Sequence, residues 1–327
     1  MRTAWFEQFG DASDVLQLGE KERPEPGPGE VLVRMATSGV NPSDVKKRAG
    51  SFPDLLNDGY VIPHSDGAGL VEAVGEGVTA KQPGDRVWIY QAQYGRRFGT
   101  AAEYVAIDER RAPLLPTNTD YDVGACLGIP VMTAHRCVFS DGKVDGRSIL
   151  VTGGAGRVGY YAIQLAVEAG ANVVATASND ADVRLCEEAG AAAVVNHRDE
   201  NWSADVLDAV GGPVDRVIDV QFGHNLPQVL DLIRTGGKIV TYASTLVAEP
   251  KLPFLRMMFM DLTVQMVIVY AMPESAKEDA MRDIERCLHE GSLKHRIAAR
   301  FPLDDIAKAH QLVEAGECRG SVIVDIE

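Results

Sequence analysis

The feature that most constrains this chain is a glycine turn near its middle, SILVTGGAGRVG at residues 148–159. The apolar run before the turn predicts a buried strand, and YYAIQLAVEAG after it predicts a helix. Gly154, Gly156 and Gly159 lie between them at G-x-G-x-x-G spacing. These glycines allow a tight turn, an approach of backbone amides to a pyrophosphate and close packing of helix on strand. We therefore predict a dinucleotide site formed by Gly154, Ala155, Gly156, Arg157, Val158 and Gly159.

The alternative for this segment is a glycine-rich turn that binds nothing, and the flanking strand and helix disfavour it. Arg157 lies inside the turn. Its guanidinium can reach a pyrophosphate or point to solvent, and the sequence leaves both interpretations open.

Charge and length limit the classes of function. The 327 residues suffice for about two domains. A net charge of −15 disfavours general binding to nucleic acid or to anionic membranes. Five scattered cysteines without a C-x-x-C pair indicate reduced thiols, so we expect a cytoplasmic protein. The start MRTAWFEQFG lacks the apolar segment of a signal peptide, and the longest apolar stretch is too short to span a bilayer.

The pattern of the chain changes near residue 122. Before it, short β-branched runs punctuated by Gly, Pro and Asp predict a β-rich region. After it, apolar strands alternate with amphipathic helices, which predicts a doubly wound parallel sheet. The predicted strands are 148–152, 172–177, 192–195, 214–219, 237–242 and 263–270, with helices at 157–169, 180–189, 202–210 and 224–234. The tail, with helices at 274–290 and 303–315 and a strand at 321–326, is expected to rejoin the first region.

Five further segments carry a resemblance to a known family: NPSDVKKRAG (41–50), PHSDGAGLVEAVGEGVTAKQPGDRVW (63–88), AAEYV (101–105), GIPVMTAHR (128–136) and AGAAAVVNHRDE (189–200). With the glycine turn, they resemble the medium-chain dehydrogenase/reductase superfamily. Within it, the chain is similar to the zinc-independent quinone oxidoreductases related to zeta-crystallin.

The resemblance implies an α/β fold of two domains. A GroES-like, β-rich catalytic domain would comprise residues 1–122 plus 271–327, and a Rossmann domain with a parallel six-stranded sheet would comprise residues 123–270. It also implies a cleft with the nicotinamide at its base, and a homodimer joined through the Rossmann edge strands at residues 263–269.

The resemblance also bears on a metal. Zinc members of the superfamily carry a Cys near the NPSD position and a His-Glu pair, but here SGVNPSD has no Cys, and Ser65 and Asp66 replace the pair. His64 lies one residue earlier, and we expect it to be a hydrogen-bonded loop histidine beside Pro63. We therefore expect no metal. Hydride transfer to an acceptor that is already electrophilic does not need a Lewis acid.

Several site residues are implied by the same resemblance. Asn41 matches the polar residue near the nicotinamide and substrate, and it is our candidate catalytic residue; the alternative is a turn residue before Pro42. Asp44 is expected to cap a helix that begins at Val45. Thr133 matches a threonine that contacts the cofactor; alternatively, it is a helix hydroxyl bonded to its own backbone. Further candidate cofactor contacts, or ordinary strand ends, are Ala243, Ser244, Val269 and Tyr270.

The acceptor side departs from the family. Where members often carry tyrosines after NPSD, this chain has Lys46 and Phe52. The related enoyl thioester reductases use a tyrosine near position 52 as proton donor, and Phe52 cannot donate a proton. We predict that Phe52 and Tyr60 bind substrate, with simple packing as the alternative for Phe52. Tyr60, Tyr90 and Tyr94 are nearby hydroxyls that can replace the missing donor.

Cofactor choice depends on the end of the second Rossmann strand. NAD-specific folds place Asp or Glu there, and this chain has Ser178, which leaves room for a 2′-phosphate. Ser178 is alternatively the N-cap of helix 180–189. Asp182 stands where the family often has Lys, and the available cations are Arg184 and Arg198. We predict NADPH rather than NADH, with Ser178 and Arg198 as cofactor-binding residues.

The leading hypothesis is an NADPH-dependent, metal-free oxidoreductase that transfers hydride to a quinone, with a small electrophilic molecule as its substrate. The first alternative is a reductase of α,β-unsaturated ketones or aldehydes. The others are a non-catalytic nucleotide-binding module of the crystallin-like or RNA-associated kind, and a zinc alcohol dehydrogenase. The acidic composition argues against an RNA role.

Overall fold

The computed structural model describes residues 1–326, which form two compact units. The first comprises Met1–Ile129 and the segment from Met281 onward; the second is Pro130–Ala280. Both boundaries lie further along the chain than the predicted ones at 122 and 270. The helix at 121–124 belongs to the first unit, where the Thr37 hydroxyl donates to the Tyr121 carbonyl at 2.9 Å. The second boundary falls inside the helix at 274–290.

Strands and helices are numbered along the described chain. The strands are β1 Arg2–Trp5, β2 Gln17–Glu20, β3 Glu30–Val40, β4 Asp66–Val74, β5 Arg86–Ile89, β6 Tyr104–Asp108, β7 Ser148–Val151, β8 Asn172–Ala177, β9 Ala193–Asn196, β10 Val214–Asp219, β11 Ile233–Thr241, β12 Thr263–Met266, β13 Ile297–Pro302 and β14 Ser321–Asp325. The helices are α1 Ala12–Val15, α2 Pro42–Arg48, α3 Tyr121–Gly124, α4 Met132–Phe139, α5 Arg157–Glu168, α6 Asp180–Glu188, α7 Trp202–Val210, α8 Phe222–Leu232, α9 Phe254–Phe259, α10 Glu274–Glu290 and α11 Ile306–Ala315.

The first unit is built on a mixed sheet ordered β13-β14-β3-β4-β5, in which β6 also pairs with β3. Strands β13 and β14 are parallel, and the other pairs are antiparallel. The pairing of Val322 with Val40 joins the end of the described chain to its first third. Buried β-branched residues of β3, β4 and β14 form the core of this unit.

The second unit carries the predicted doubly wound sheet of six parallel strands, in the order β12-β11-β10-β7-β8-β9. The chain starts at the central strand β7, adds β8 and β9 on one side, and then crosses to β10 on the other. At such a reversal the carboxyl ends of the strands leave a crevice where ligands bind. The glycine turn follows β7, so the fold places it at this crevice.

Three predicted elements differ in extent by three or four residues. The strand predicted at 237–242 begins at Ile233. The strand predicted at 263–270 ends at Met266, and a 3₁₀ turn follows at Val269–Ala271. The helix predicted at 303–315 begins as a 3₁₀ turn, and α11 starts at Ile306. No helix within residues 1–326 combines the length and apolarity that a membrane span requires.

Candidate functional site

The glycine turn is held against the neighbouring strand by backbone contacts. The Gly153 N–H donates to Thr176 Oγ1 and the Gly154 N–H to the Thr176 carbonyl, both at 3.0 Å. Gly156 is the N-cap of α5, which begins at Arg157. The left-handed residue of the turn is Gly153, with φ of 61°, one position before the first motif glycine to which we assigned the tight turn.

The three motif glycines divide into two roles. A Cβ on Gly154 would lie 2.8–2.9 Å from the side chains of Ala175, Cys186 and Ile163, and one on Gly159 would lie 2.5 Å from the Gly153 carbonyl oxygen. Both glycines therefore allow close packing. A Cβ on Gly156 would meet one atom within 4 Å, the Gly153 oxygen at 3.1 Å. That position and the start of α5 form a cradle of the kind that a pyrophosphate fills.

Asp219, at the end of β10, links the strands beside the turn. Its Oδ1 accepts from Thr152 Oγ1 at 2.7 Å and from the side-chain amide of Asn225 at 2.8 Å. Its other oxygen, Oδ2, is buried and has no hydrogen-bond partner in the protein. Asp219 thus places an unsatisfied acceptor near the crevice, and the sequence analysis did not identify it.

Ser178 and Arg198 lie at the ends of adjacent strands. The register of β8 and β9 pairs Ala177 with Asn196, so the residues that follow these strands are neighbours. Ser178 is not the N-cap of α6; Asn179 is, and its side chain accepts the Asp182 N–H at 3.0 Å. Ser178 is therefore not needed to cap the helix, and the Arg198 side chain is exposed. A serine and an exposed guanidinium at this edge suit a 2′-phosphate.

The remaining candidates of the second unit lie at the ends of elements. Ser244 accepts the Gly223 N–H at 2.9 Å, and the Ala243 carbonyl accepts the Phe222 N–H at 3.1 Å, so both hold the start of α8. Three other candidates are buried: Thr133 within α4, and Val269 and Tyr270 in the 3₁₀ turn.

In the first unit, Asn41 is the N-cap of α2, which begins at Pro42. The prediction that a helix begins at Val45 with Asp44 as its cap was therefore wrong. Asp44 occupies the first turn instead, and its Oδ2 accepts the Asn41 backbone N–H at 2.8 Å. A proline at the first helical position lacks only an N–H that has no helical partner, which explains the earlier start.

The Asn41 side chain contacts a buried carboxyl. Its Nδ2 donates to Asp66 Oδ2 at 2.8 Å, and the Ile129 N–H donates to the same oxygen at 2.7 Å. Burial, and to a smaller extent the negative charge of Asp44, raise the pKa of Asp66, while the two donors and Lys47 lower it; the net result is a pKa of about 8. Asp66 is thus mainly protonated at neutral pH, although its Oδ2 accepts two hydrogen bonds.

Lys47 brings a buried positive charge to the same place. Its Nζ donates to the Gln93 carbonyl at 2.6 Å and to Ser65 Oγ at 3.4 Å. Burial lowers the pKa of Lys47, and the carboxyls of Asp44 and Asp66 raise it. The surroundings of Asn41 therefore combine one amine and two carboxyls in a buried setting.

His64 is buried and hydrogen-bonded, as we expected, but its partners are distant in sequence. Its Nδ1 lies 2.7 Å from Ser38 Oγ, and its Nε2 lies 2.9 Å from Nε2 of His310. The Ser38 hydroxyl is also hydrogen-bonded to the Thr100 hydroxyl, at 2.7 Å. The Thr100 hydroxyl in turn donates to the Asp66 backbone carbonyl at 2.6 Å. Within residues 1–326, no group of three or more His, Cys, Asp or Glu side chains is arranged to hold a metal ion.

The predicted acceptor residues and the nearby tyrosines of the first unit differ in exposure. Phe52 is exposed at the start of a short 3₁₀ turn. Tyr60 packs beneath Lys21, whose Nζ lies 4.2 Å from the ring centroid. Tyr90 is buried and donates to the Arg110 carbonyl, while Tyr94 is exposed. The Tyr90 hydroxyl is therefore committed to a structural hydrogen bond.

The structure groups the candidates within each unit. In the second unit the turn, Ser178 and Arg198 share the carboxyl edge of the sheet, together with Asp219. In the first unit Asn41 lies with Asp66 and Lys47. The sequence suggested Asp66 only as a residue in place of a metal ligand, and Lys47 is not among the predicted site residues. For Asp66 the available signal was a charged residue inside the small-residue and apolar run 65–71, whereas Lys47 stands among three consecutive basic residues, 46–48, and carried no such signal.

Two family models match this chain. The model described as "Alcohol dehydrogenase GroES-like domain" matches residues 27–117, and the one described as "Zinc-binding dehydrogenase" matches residues 158–286. The mouse quinone oxidoreductase is 30% identical over 95% of this chain and 93% of its own length. An NADPH-dependent alkenal/one oxidoreductase of Arabidopsis thaliana is 27% identical over 98% of this chain and 78% of its own length.

A solved mycobacterial structure, a complex with NADPH, has the same fold. It superposes with a TM-score of 0.86 at 25% sequence identity, and the match covers 99% of this chain and all of that one.

Proposed function

Because the chain belongs to the quinone oxidoreductase-type family of the medium-chain dehydrogenase/reductase superfamily, we propose that it is an NADPH-dependent oxidoreductase that transfers hydride to a quinone without a metal. The observation that carries the proposal is the Gly156 cradle at the start of α5, at the crevice of a doubly wound sheet. The Ser178–Arg198 edge favours NADPH over NADH, since Ser178 stands at the position where NAD-specific folds have the Asp or Glu that accepts from a 2′-hydroxyl.

Different residues would hold different parts of the cofactor. Gly156 and the N-terminus of α5 would hold the pyrophosphate, and Ser178 with Arg198 would hold the 2′-phosphate. When bound, NADPH supplies the hydride. The chain's own contribution is to bind, to orient and to exclude water, and Asn41 is the polar side chain that we assign to the reacting end.

The acceptor is proposed to be a quinone, because Phe52 removes the tyrosine that the enoyl reductases use as proton donor. A quinone is already electrophilic, and its reduced oxygens can take protons from solvent. The second candidate is an α,β-unsaturated ketone or aldehyde, supported by the similarity to the Arabidopsis enzyme. A parallel assay with a benzoquinone and an enone of similar size distinguishes the two.

The metal-free part of the proposal rests on the donor set. Where zinc members have thiolate and imidazole ligands, this chain has the amide of Asn41 and the hydroxyl of Ser65, which are weak ligands for zinc. Ser65 Oγ already accepts a hydrogen bond from the Lys47 ammonium, and this positive charge would repel a zinc ion bound at Ser65. We therefore expect full activity after dialysis against a chelator.

The central test compares the two nicotinamide cofactors. The wild type should show a higher kcat/KM with NADPH than with NADH in stopped-flow reduction of a quinone. Arg198→Ala should lower the NADPH value roughly tenfold, because a charge-assisted phosphate contact is lost, and leave the NADH value unchanged. Arg184→Ala, which removes an exposed cation of α6, is the matched control. Equal or better use of NADH by the wild type would contradict the proposal.

We also propose a homodimer joined through the free edge of β12, in a protein of the cytoplasm that binds neither nucleic acid nor membrane. In the sheet β12 pairs only with β11. An exposed strand edge with apolar side chains is a surface that proteins normally cover. The most exposed large apolar residues of the second unit lie in β12 or in the connection from β11 to β12: Leu246, Phe254, Leu255, Phe259 and Met266.

A further inference from the structure

We propose that Asp66 is a positioning residue of the reaction, which fixes the direction of the Asn41 amide through the hydrogen bond from Nδ2 to Oδ2. The proposal deepens the proposed function and rests on it, since it takes Asn41 as the polar group at the reacting end. It concerns how this chain holds that group, and it gives Asp66 a task other than metal binding.

The first support is geometric. Asp66 is 0% exposed and Asn41 is 4% exposed, so water does not compete for the contact between them. Asp66 Oδ2 also accepts the Ile129 N–H at 2.7 Å, which holds the carboxyl itself in place. A side-chain amide anchored through one nitrogen to a fixed acceptor keeps one orientation.

The second support is the cost of keeping a carboxyl at this position. Asp66 Oδ1 is buried and has no hydrogen-bond partner, which is unfavourable for a polar atom. A Cβ on Gly128 would lie 2.1 Å from this oxygen, so the glycine is what leaves space for the carboxyl. An apolar residue would fill the same space without the unsatisfied oxygen but would not hold Asn41. The retained hydrogen bonds, rather than packing, account for a carboxyl here.

The charged groups that act on Asp66 lie on one element. Asp44 and Lys47, both on α2, act on it with opposite sign, and the two N–H donors come from Asn41 and Ile129. The Thr100 hydroxyl contacts only its backbone carbonyl. Together they leave the pKa of Asp66 raised to about 8, so the carboxyl ionises within a pH range in which the protein can be studied.

The first experiment reads the contact without any assay of activity. In ¹⁵N–¹H NMR spectra of the full chain, the side-chain amide signal of Asn41, assigned through Asn41→Ala, should move as pH rises through about 8. In Asp66→Asn the signal should not move, because an asparagine keeps an acceptor oxygen but does not ionise. The control is Asn118, whose amide donates to a backbone carbonyl, that of Leu288. An Asn41 amide signal with the same position in Asp66→Ala as in the wild type overturns the proposal.

The second experiment is a double-mutant cycle on NADPH-dependent reduction. Asp66→Ala should lower kcat roughly tenfold or more, because a misdirected amide loses its alignment, and should leave NADPH affinity within about twofold. Asp66→Asn should restore most of kcat. In the Asn41→Ala background, Asp66→Ala should cause no further loss.

Two results of this cycle overturn the proposal. Equal losses in both backgrounds would mean that Asp66 does not act through Asn41. A kcat of Asp66→Asn as low as that of Asp66→Ala would mean that the ionisable group itself is required. Should the wild type reduce no acceptor, the proposed function fails by itself, while the NMR titration still decides whether Asp66 holds Asn41.

Discussion

At the scale of single residues, the buried pair of His64 and His310 has the clearest physical consequence. Their Nε2 atoms are 2.9 Å apart, and both rings are 0% exposed. One hydrogen must lie between the two nitrogens, so one ring donates and the other accepts, and both are neutral. Burial lowers the pKa of His64 to about 3 and that of His310 well below its ordinary value.

The sign of the pH effect follows from these shifts. Both histidines are protonated in the unfolded chain below about pH 6.5, whereas the folded chain binds the His64 proton only near pH 3 and the His310 proton only well below pH 6.5. Their contribution to stability is thus complete above pH 6.5 and is lost as pH falls from there towards 3. Asp66 has the opposite effect, since its raised pKa favours the folded state as pH falls below about 8.

Because these effects oppose each other, the prediction concerns a difference between variants. His310→Phe should be less stable than wild type at pH 7 by about 1–3 kcal/mol, because His64 loses a buried hydrogen bond. When the pH is lowered from 7 to 5, the free energy of unfolding of His310→Phe should fall by about 2 kcal/mol less than that of the wild type, because one titrating histidine has been removed. Urea unfolding at both pH values measures this. His289→Gln, at an exposed position, should match wild type at both; equal pH responses of all three proteins would contradict the prediction.

At the scale of elements, the glycine turn contains one glycine that folding requires and another that ligand binding requires. Gly159 lies where a Cβ would be 2.5 Å from the Gly153 oxygen and 3.0 Å from the Gly154 Cα, which are backbone atoms and cannot move aside cheaply. At Gly156 the nearest atom is 3.1 Å away, so a shift of a few tenths of an ångström is sufficient. One glycine is therefore required by the β7–α5 junction, and the other leaves space for a ligand.

The two alanine variants should differ accordingly. Gly159→Ala should lower the free energy of unfolding by roughly 1–3 kcal/mol through overpacking, which exceeds the gain in helix propensity. Gly156→Ala should melt close to wild type and bind NADPH roughly tenfold more weakly. Calorimetric melting and fluorescence titration with NADPH measure the two effects. If Gly156→Ala binds NADPH as tightly as the wild type does, the pyrophosphate does not bind in this cradle.

The same elements show how far the sequence was informative. The parallel strands and their helices were predicted to within a few residues, because apolar runs of strand length alternate with helical periodicity. Caps were less certain, because a shift of one residue changes the assignment: Asn179 caps α6 in place of Ser178, and α2 starts at Pro42. Contacts such as Asp66 with Ile129 or His64 with His310 join distant segments, and no local pattern encodes them.

At the scale of the whole molecule, an acidic chain carries an apolar surface in one region. The net charge of −15 keeps separate chains apart in general. In contrast, the α9–β12 segment exposes Phe259 at 80% and Met266 at 73%, next to an unpaired strand edge. Pairing of two such edges about a two-fold axis would remove both edges and bury both apolar surfaces.

The expected assembly can be measured directly. Light scattering after size exclusion should give twice the chain mass of 35.2 kDa for the wild type. Met266→Lys should give a monomer, because it places a charge against its own copy across the two-fold axis. Leu114→Lys, at an exposed apolar position of the first unit, should remain dimeric. A monomeric wild type at micromolar concentration, or a dimeric Met266→Lys, would contradict this interface.

The five free cysteines have a practical consequence. Cys126, Cys137, Cys186 and Cys287 are buried, and burial raises the pKa of Cys137 to about 12, whereas Cys318 is partly exposed. A thiol must reach solvent and ionise to be alkylated. A maleimide dye or spin label would therefore attach at a single place, just before β14, in the unaltered chain. Ligand-induced changes can therefore be followed with a probe on Cys318, without first replacing the other four cysteines.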